Sequence, residues 1–161
     1  DPVRTLELAA YFTHCNLQPG HLLLALKSAM TVAFKAKNYI NASSFARRLL
    51  ELPDVNSERH SDLRGKAQKV VAKSEKEGRN EHQIDYDDMN PFTLDCAALK
   101  PIYKGAPVVK CPFCSSCFDP SRKGDVCNTC QMSQVGLDTV GLGTQAGFSN
   151  QPGEARGGRG F

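Results

Sequence analysis

Apolar positions in the first half of the chain recur at helical spacing; those in the second half alternate or stand in short pairs. Residues Thr5 to Cys15 place Leu6, Ala9 and Ala10 on one face, predicting a helix. Gln18-Pro19-Gly20 interrupts it, and Pro19 suits the first turn of a second helix because its missing N–H needs no partner there. From Leu22 to Lys37 the set Leu23, Leu26, Met30, Ala33 and Phe34 forms a stripe. Leu22, Ala25, Ala29 and Val32 widen it, as expected for a central helix. Asn41 to Glu51 repeats the pattern with Ala42, Phe45, Ala46, Leu49 and Leu50, and Pro53 stops it. A fourth helix is predicted over Glu58 to Glu77, with Leu63, Ala67, Val70 and Val71 inward and Gly78 as its C-terminal stop. Four amphipathic helices with short connections predict antiparallel helical hairpins. The Leu22–Leu50 pair resembles one unit of a helical solenoid, without a second copy at a fixed period.

The pattern changes after Arg79. Glu81, Asp85, Asp87, Asp88 and Asp95 occur with no Lys or Arg among them, and Asn90-Pro91 breaks any helix. An extended acidic crossing between subdomains is the expectation. A Ca²⁺ loop is disfavoured, because Asp85-Tyr86-Asp87-Asp88 lacks the Gly and distal Glu of an EF-hand. From Ala98 to Leu142 the pattern is β-like. Ile102-Tyr103 and Val108-Val109 flank the turn Lys104-Gly105-Ala106-Pro107, and Gln134 to Leu142 is a further candidate strand. Beyond it the chain is rich in Gly, Ser and Gln, a composition that cannot bury a core. The expected fold is α+β: a helical subdomain over 1–79, an acidic linker over 80–97, a small β-rich, zinc-ribbon-like subdomain over 98–142, and a disordered Gly-rich tail over 143–161.

The cysteines carry the sharpest chemistry. Of seven, five crowd between Cys111 and Cys130, while Cys15 and Cys96 stand alone. Cys111-Pro112-Phe113-Cys114 and Cys127-Asn128-Thr129-Cys130 are two Cys-x-x-Cys pairs with twelve residues between them. Each pair forms a tight turn that aims two thiolates at one point, and the intervening loop lets the turns meet around one tetrahedral Zn²⁺. The expected ligands are Cys111, Cys114, Cys127 and Cys130. Structural disulfides or unliganded thiols are the alternative, although a disulfide framework spreads its cysteines more evenly. Cys117 is the spare; it either packs as a small apolar residue or replaces Cys114 as a ligand. Four thiolates leave no open position for substrate or water, so such a site is structural.

Other signals are weaker. The 161 residues are 40% hydrophobic without Trp, so the core is modest. A net charge of +3 does not by itself argue for nucleic acid. The longest apolar run, Leu22 to Leu26, is far short of a membrane span. The chain opens on Asp1, from which a piece of a longer polypeptide is expected. His14 and Cys15 cannot form a proton-transfer pair, since neighbours on a helix point about 100° apart. No phosphate loop, nucleophile elbow or His-Glu-x-x-His occurs, so no enzyme activity is expected. Arg64, Lys66, Lys69, Lys73, Lys76 and Arg79 lie on the fourth helix with Glu75 and Glu77 between them, which reads as a solvated face. Arg156-Gly157-Gly158-Arg159 holds too few charges to bind RNA strongly.

Several strings carry a resemblance. Ala10-Tyr11-Phe12-Thr13-His14-Cys15-Asn16-Leu17-Gln18-Pro19, Phe45-Ala46-Arg47-Arg48-Leu49-Leu50-Glu51-Leu52, Asn90-Pro91-Phe92, Cys96-Ala97-Ala98, Pro101-Ile102-Tyr103-Lys104-Gly105, and Lys123-Gly124 before Cys127 keep order and spacing. Together they resemble the C-terminal domain family of the coatomer α-subunit, over residues 6–142. The resemblance implies a non-catalytic part of the COPI vesicle coat in Golgi-to-ER and intra-Golgi transport. It implies a cytoplasmic location on Golgi membranes and vesicles through the full coat, and binding to the coatomer ε-subunit. The dilysine-reading propellers of that family lie elsewhere, so no cargo binding is implied. With the helices burying their apolar faces locally, Ile102, Tyr103, Val108 and Val109 are the candidate partner surface. From the cysteine motif alone, a nucleic-acid-binding zinc ribbon is the alternative, but Lys110, Arg122 and Lys123 are nearly balanced by Asp119 and Asp125.

Overall fold

The computed structural model describes residues 1–138, which form two compact units dividing between Pro107 and Val108. The first unit holds α1 (Pro2–Phe12), α2 (Pro19–Lys35), α3 (Tyr39–Glu51) and α4 (Ser61–Glu77), with short 3₁₀ turns at Pro53–Asn56 and Glu58–His60. It also holds the antiparallel pair β1 (Phe92–Leu94) and β2 (Pro101–Tyr103). The second unit contains the antiparallel pair β3 (Val109–Lys110) and β4 (Cys117–Phe118), then a 3₁₀ turn at Pro120–Arg122. The α+β class is as expected.

Local chemistry sets the helix ends. The Asp1 carboxylate accepts the Val3 N–H at 3.0 Å and caps α1, with Pro2 in the first turn. Pro19 opens α2 after an extended Gln18. Pro53 follows an extended Leu52, which ends α3. Gly78, at φ +59°, takes the left-handed conformation that stops α4. α3 packs against both α2 and α4. The continuous core joins Leu6, Met30, Phe45, Leu49 and Val55 to six alanines: Ala10, Ala29, Ala33, Ala42, Ala46 and Ala67. The alanines let the helices approach closely, while Phe45 and Met30 fill the remaining space. Tyr11 is a core residue that the α1 stripe did not indicate: it is buried, and its hydroxyl donates to the Asp85 carbonyl at 2.7 Å.

Two expectations need correction. Residues 80–97 are not an extended crossing between subdomains. Ile84 and Tyr86 pack on the helical core. The fully buried Asn38 clamps His82, donating to its carbonyl and accepting its N–H, both at 2.8 Å. Ring pairs Tyr11–Phe92, Tyr86–Phe92 and Phe92–Tyr103, with centroids 5.8, 6.4 and 5.6 Å apart, fix the β1–β2 hairpin to the same body. Arg4 on α1 donates to the carbonyls of Ala98 and Leu99 in the hairpin loop. The compact unit therefore runs through to Pro107, past the expected boundary at 97/98.

Nor do Ile102-Tyr103 and Val108-Val109 pair across their turn. Tyr103 faces Phe92 and Ile102 faces Thr93, while Val109 faces Phe118. The Gln134 end of the further candidate strand makes only an isolated bridge to Val126. Residues 139–142 of that strand and the expected tail at 143–161 lie outside the described residues.

Candidate metal centre

The four predicted cysteines converge. All four Sγ atoms of Cys111, Cys114, Cys127 and Cys130 lie within 4.8 Å of one another. Cys111 and Cys130 are 3.7 Å apart and Cys114 and Cys127 are 3.6 Å apart, sulfur to sulfur. Thiolates around Zn²⁺ at about 2.3 Å define a tetrahedron with edges of about 3.8 Å. The donor set and spacing therefore fit a closed four-thiolate site.

Each knuckle is built the same way. The Ser115 N–H donates to the Cys111 carbonyl and the Gln131 N–H to the Cys127 carbonyl, both at 2.9 Å. Ser115 and Gln131 both adopt positive φ, 62° and 57°, which reverses the chain immediately after the second cysteine. Each first cysteine then donates its own N–H across the turn, Cys111 to Ser116 and Cys127 to Ser133. Beneath the knuckles the unit buries Phe118 and Val135 with Cys111 and Cys127. Gly136 sits at φ +68°, and a Cβ there would come within 3.0 Å of the Lys123 side chain. Cys117 is half-buried on β4 and is absent from the four-sulfur cluster.

The electrostatics of the cluster favour a cation. The Ser116 hydroxyl, 3.2 Å from Cys114 Sγ, and the Ser116 N–H lower the Cys114 thiol. Burial disfavours the Cys127 thiolate, but the N–H groups of Cys130 and Thr129 and the thiols of Cys114 and Cys130 outweigh it, lowering this thiol to about 6. At Cys130 the Met132 N–H favours the thiolate, yet burial and the three neighbouring thiols push it up to about 11. One sulfur thus ionises at the expense of another, as like charges at this separation require. A divalent cation would remove the conflict by stabilising all four thiolates together.

The candidate partner residues divide between the units. Ile102 and Tyr103 belong to the first, Val108 and Val109 to the second. Ile102, Tyr103 and Val109 are half-buried and Val108 is exposed. The Tyr103 hydroxyl accepts the Asp87 N–H at 3.1 Å, so part of this side chain serves the fold.

Similarity to known proteins settles the family. Residues 1–148 match the family described as the C-terminus of the coatomer (COPI) alpha subunit. The chain is 48% identical over 141 residues to a coatomer subunit alpha of Dictyostelium discoideum, covering 86% of this chain and 11% of that protein. The chain belongs to the coatomer alpha C-terminal family. It is 47% identical over 142 residues to coatomer subunit alpha-1 of Arabidopsis thaliana, covering 88% and 11%. For coatomer subunit alpha of Saccharomyces cerevisiae the identity is 34% over 140 residues, covering 87% and 11%. The chain spans about a tenth of the length of the curated relatives it matches.

The strings that carried the resemblance to this family meet in the fold. Thr13 and His14 come from the first string, Arg48 from the second and Phe92 from the third. Arg48 donates to the Thr13 hydroxyl at 2.9 Å and to its carbonyl at 3.0 Å. His14 Nε2 lies 2.8 Å from the Tyr86 hydroxyl, and its ring packs tilted against Phe92, centroids 5.0 Å apart. Burial and then the Arg48 charge lower the His14 pKa. Sequence reasoning weighed His14 only beside Cys15 and missed this network. The available signal was Arg48, three residues after the core residue Phe45 and so at the edge of the apolar stripe. The network ties α1, α3 and the segment after α4 together, so these family strings encode the fold. Among the described residues no helix is long and apolar enough to cross a membrane.

Proposed function

We propose that this chain is a non-catalytic scaffold module of the COPI vesicle coat that binds the coatomer ε-subunit. It would act on the cytoplasmic side of Golgi membranes and COPI-coated vesicles, in Golgi-to-ER and intra-Golgi transport. The observation that carries the reading is family membership over 1–148, with 48% identity to one coatomer subunit alpha. The character of the units supports it. One is a helical body with a closed apolar core, and the other is a small body organised by cysteines.

In this reading Zn²⁺ is structural. Cys111, Cys114, Cys127 and Cys130 would hold it, and the metal would supply cross-linking of two knuckles rather than a reactive position. The protein's own part would be to aim four sulfurs inward and to stabilise the thiolates of Cys114, Cys127 and Cys130 through the N–H groups of Ser116, Thr129, Cys130 and Met132. Among the partner candidates, Tyr103 is the largest side chain; the others are Ile102 on β2, and Val108 and Val109 in the second unit. A stable interface needs an apolar centre and roughly 1,200 Å² or more of buried surface.

The test is size exclusion of this chain, and of a longer C-terminal piece of the same subunit, with the ε-subunit at micromolar concentration. Co-elution is expected, weakened by Tyr103→Ala and kept by Tyr103→Phe, which retains the ring. Failure of both pieces to retain the ε-subunit would overturn the scaffold reading.

A further inference from the structure

The solvated face predicted for α4 is more organised than its composition suggests. Lys66, Lys69, Lys73 and Lys76 recur at i, i+3, i+7 and i+10, so they fall on one stripe of the helix. All four are exposed. The stripe runs about 15 Å along the axis, at 1.5 Å per residue. None of the four forms an ion pair; the ion pairs among the described residues are Arg4–Glu7, Arg47–Glu75 and Arg122–Asp125. Glu75, which interrupts the lysines in sequence, turns to Arg47 on α3 and leaves the stripe. Asp62 and Glu77 remain at its two ends. Lys73 lies over the Phe34 ring, 5.4 Å from its centroid, which places the end of α2 beside the stripe. The turn after α2 is bonded to the chain after α4, Tyr39 N–H to the Arg79 carbonyl and Glu81 N–H to the Lys37 carbonyl. Arg79 and Lys37, both exposed, thus add charge at the C-terminal end of the helix.

We propose that the lysine stripe of α4 is an electrostatic docking surface for an anionic lipid bilayer. The residues present select that partner. The stripe is made of lysines, point charges that need no fixed bidentate acceptor. No large exposed apolar side chain lies on α4, so the face lacks the apolar centre of a stable protein interface. It also lacks exposed aromatics on which nucleic-acid bases would stack. A row of unpaired lysines without hydrophobic anchors matches a fluid array of acidic headgroups, met at the surface without insertion. The contact is weak alone and adds to whatever else holds the protein at a membrane. This goes beyond the scaffold reading, in which the membrane is reached through other subunits.

The experiment is vesicle flotation of the whole chain with phosphatidylcholine, alone or mixed with phosphatidylserine, at low and at physiological salt. Binding is expected only to the mixed vesicles and falls as salt screens the charges. Lys66→Gln and Lys69→Gln singly should each lower partitioning about five-fold. The quadruple Lys66→Gln, Lys69→Gln, Lys73→Gln, Lys76→Gln variant should abolish it, with the helical melt unchanged. Lys110→Gln with Lys123→Gln, in the other unit, should leave partitioning intact. Equal loss in that control, binding that the single variants do not change, or retention of polyglutamate or single-stranded RNA in preference to vesicles would overturn the proposal. ε-subunit binding, read separately, distinguishes its failure from that of the scaffold reading.

Discussion

The helical unit and the cysteine unit reach order by different means. Over residues 1–107 a chain of buried apolar residues from Leu6 to Ala67 closes a core, and polar clamps at Asn38 and Arg48 pin its loops. The described part of the second unit, residues 108–138, buries only Phe118 and Val135 with two of its cysteines. One short strand pair and two large side chains cannot offset the conformational entropy of some thirty residues. The first unit is held by burial; for the second, we propose a metal cross-link between its cysteine pairs. The difference teaches where each kind of damage should appear.

The largest effect should come from the four converging cysteines, the proposed metal ligands. If the four cysteines hold Zn²⁺ as proposed, chelation or Cys127→Ser should remove a contribution of roughly 10 kcal/mol or more to folding of the second unit. Metal analysis should find about one Zn²⁺ per chain in protein purified without chelator. Cys127→Ser should lose it, and the amide NMR signals of 108–138 should collapse to random-coil positions. Signals of 1–107 should stay where they are. Cys117→Ser should keep the metal, because Cys117 stands outside the four-sulfur cluster. Metal-free protein whose 108–138 signals remain dispersed would break the comparison.

Phe45→Ala attacks the other side. Phe45 is 1% exposed, in the middle of the helical core. Its loss should destabilise the first unit by about 3–5 kcal/mol, transfer and cavity terms together. The readout is chemical denaturation followed by helical circular dichroism, with zinc content unchanged. A midpoint close to that of the wild type would mean that this face is not core.

What the sequence made legible follows the same divide. The helix stops at Pro53 and Gly78, the start at Pro19 and the four converging cysteines were readable because each is a local rule about a few consecutive residues. The partner of β2 was not. Ile102-Tyr103 looks equally suited to pair with Val108-Val109 or with Phe92-Thr93, and a non-local ring contact decides. Phe92 is held between Tyr11, Tyr86 and Tyr103, which brings β1 to β2. The acidic stretch after α4 misled for a related reason. Its carboxylates set its composition, yet its place in the fold is decided by Ile84, Tyr86 and the Asn38 side chain some forty residues earlier.

That clamp gives a third, smaller test. Asn38→Ala leaves the half-buried N–H and carbonyl of His82 without this partner and should cost about 1–2 kcal/mol. Hydrogen exchange should show residues 80–87 opening while α2 and α3 stay protected. Uniform loss of protection across the helices would show instead that the segment is integral to the core.

The smallest effect concerns pH, and it separates the units once more. His14 has its pKa lowered from the ordinary 6.5, first by burial and then by the Arg48 charge. The unfolded chain therefore takes up this proton before the folded one does. The resulting stability is fully present above pH 6.5 and is lost as pH falls from there towards the folded pKa. Because His14 is exposed at the surface, where solvent screens its charge, the loss should be small. Denaturation midpoints of the helical signal, measured at steps from pH 7.5 to 5.5, should fall in the wild type and stay flatter in His14→Gln. The second unit responds in the same direction for another reason. If its thiolates hold Zn²⁺ as proposed, protons compete with the ion, so falling pH should release it. That release, followed with a zinc indicator, should be identical in the wild type and in His14→Gln. If His14→Gln changed the zinc release and left the helical midpoints as steep as in the wild type, the two titrations would have been assigned to the wrong units.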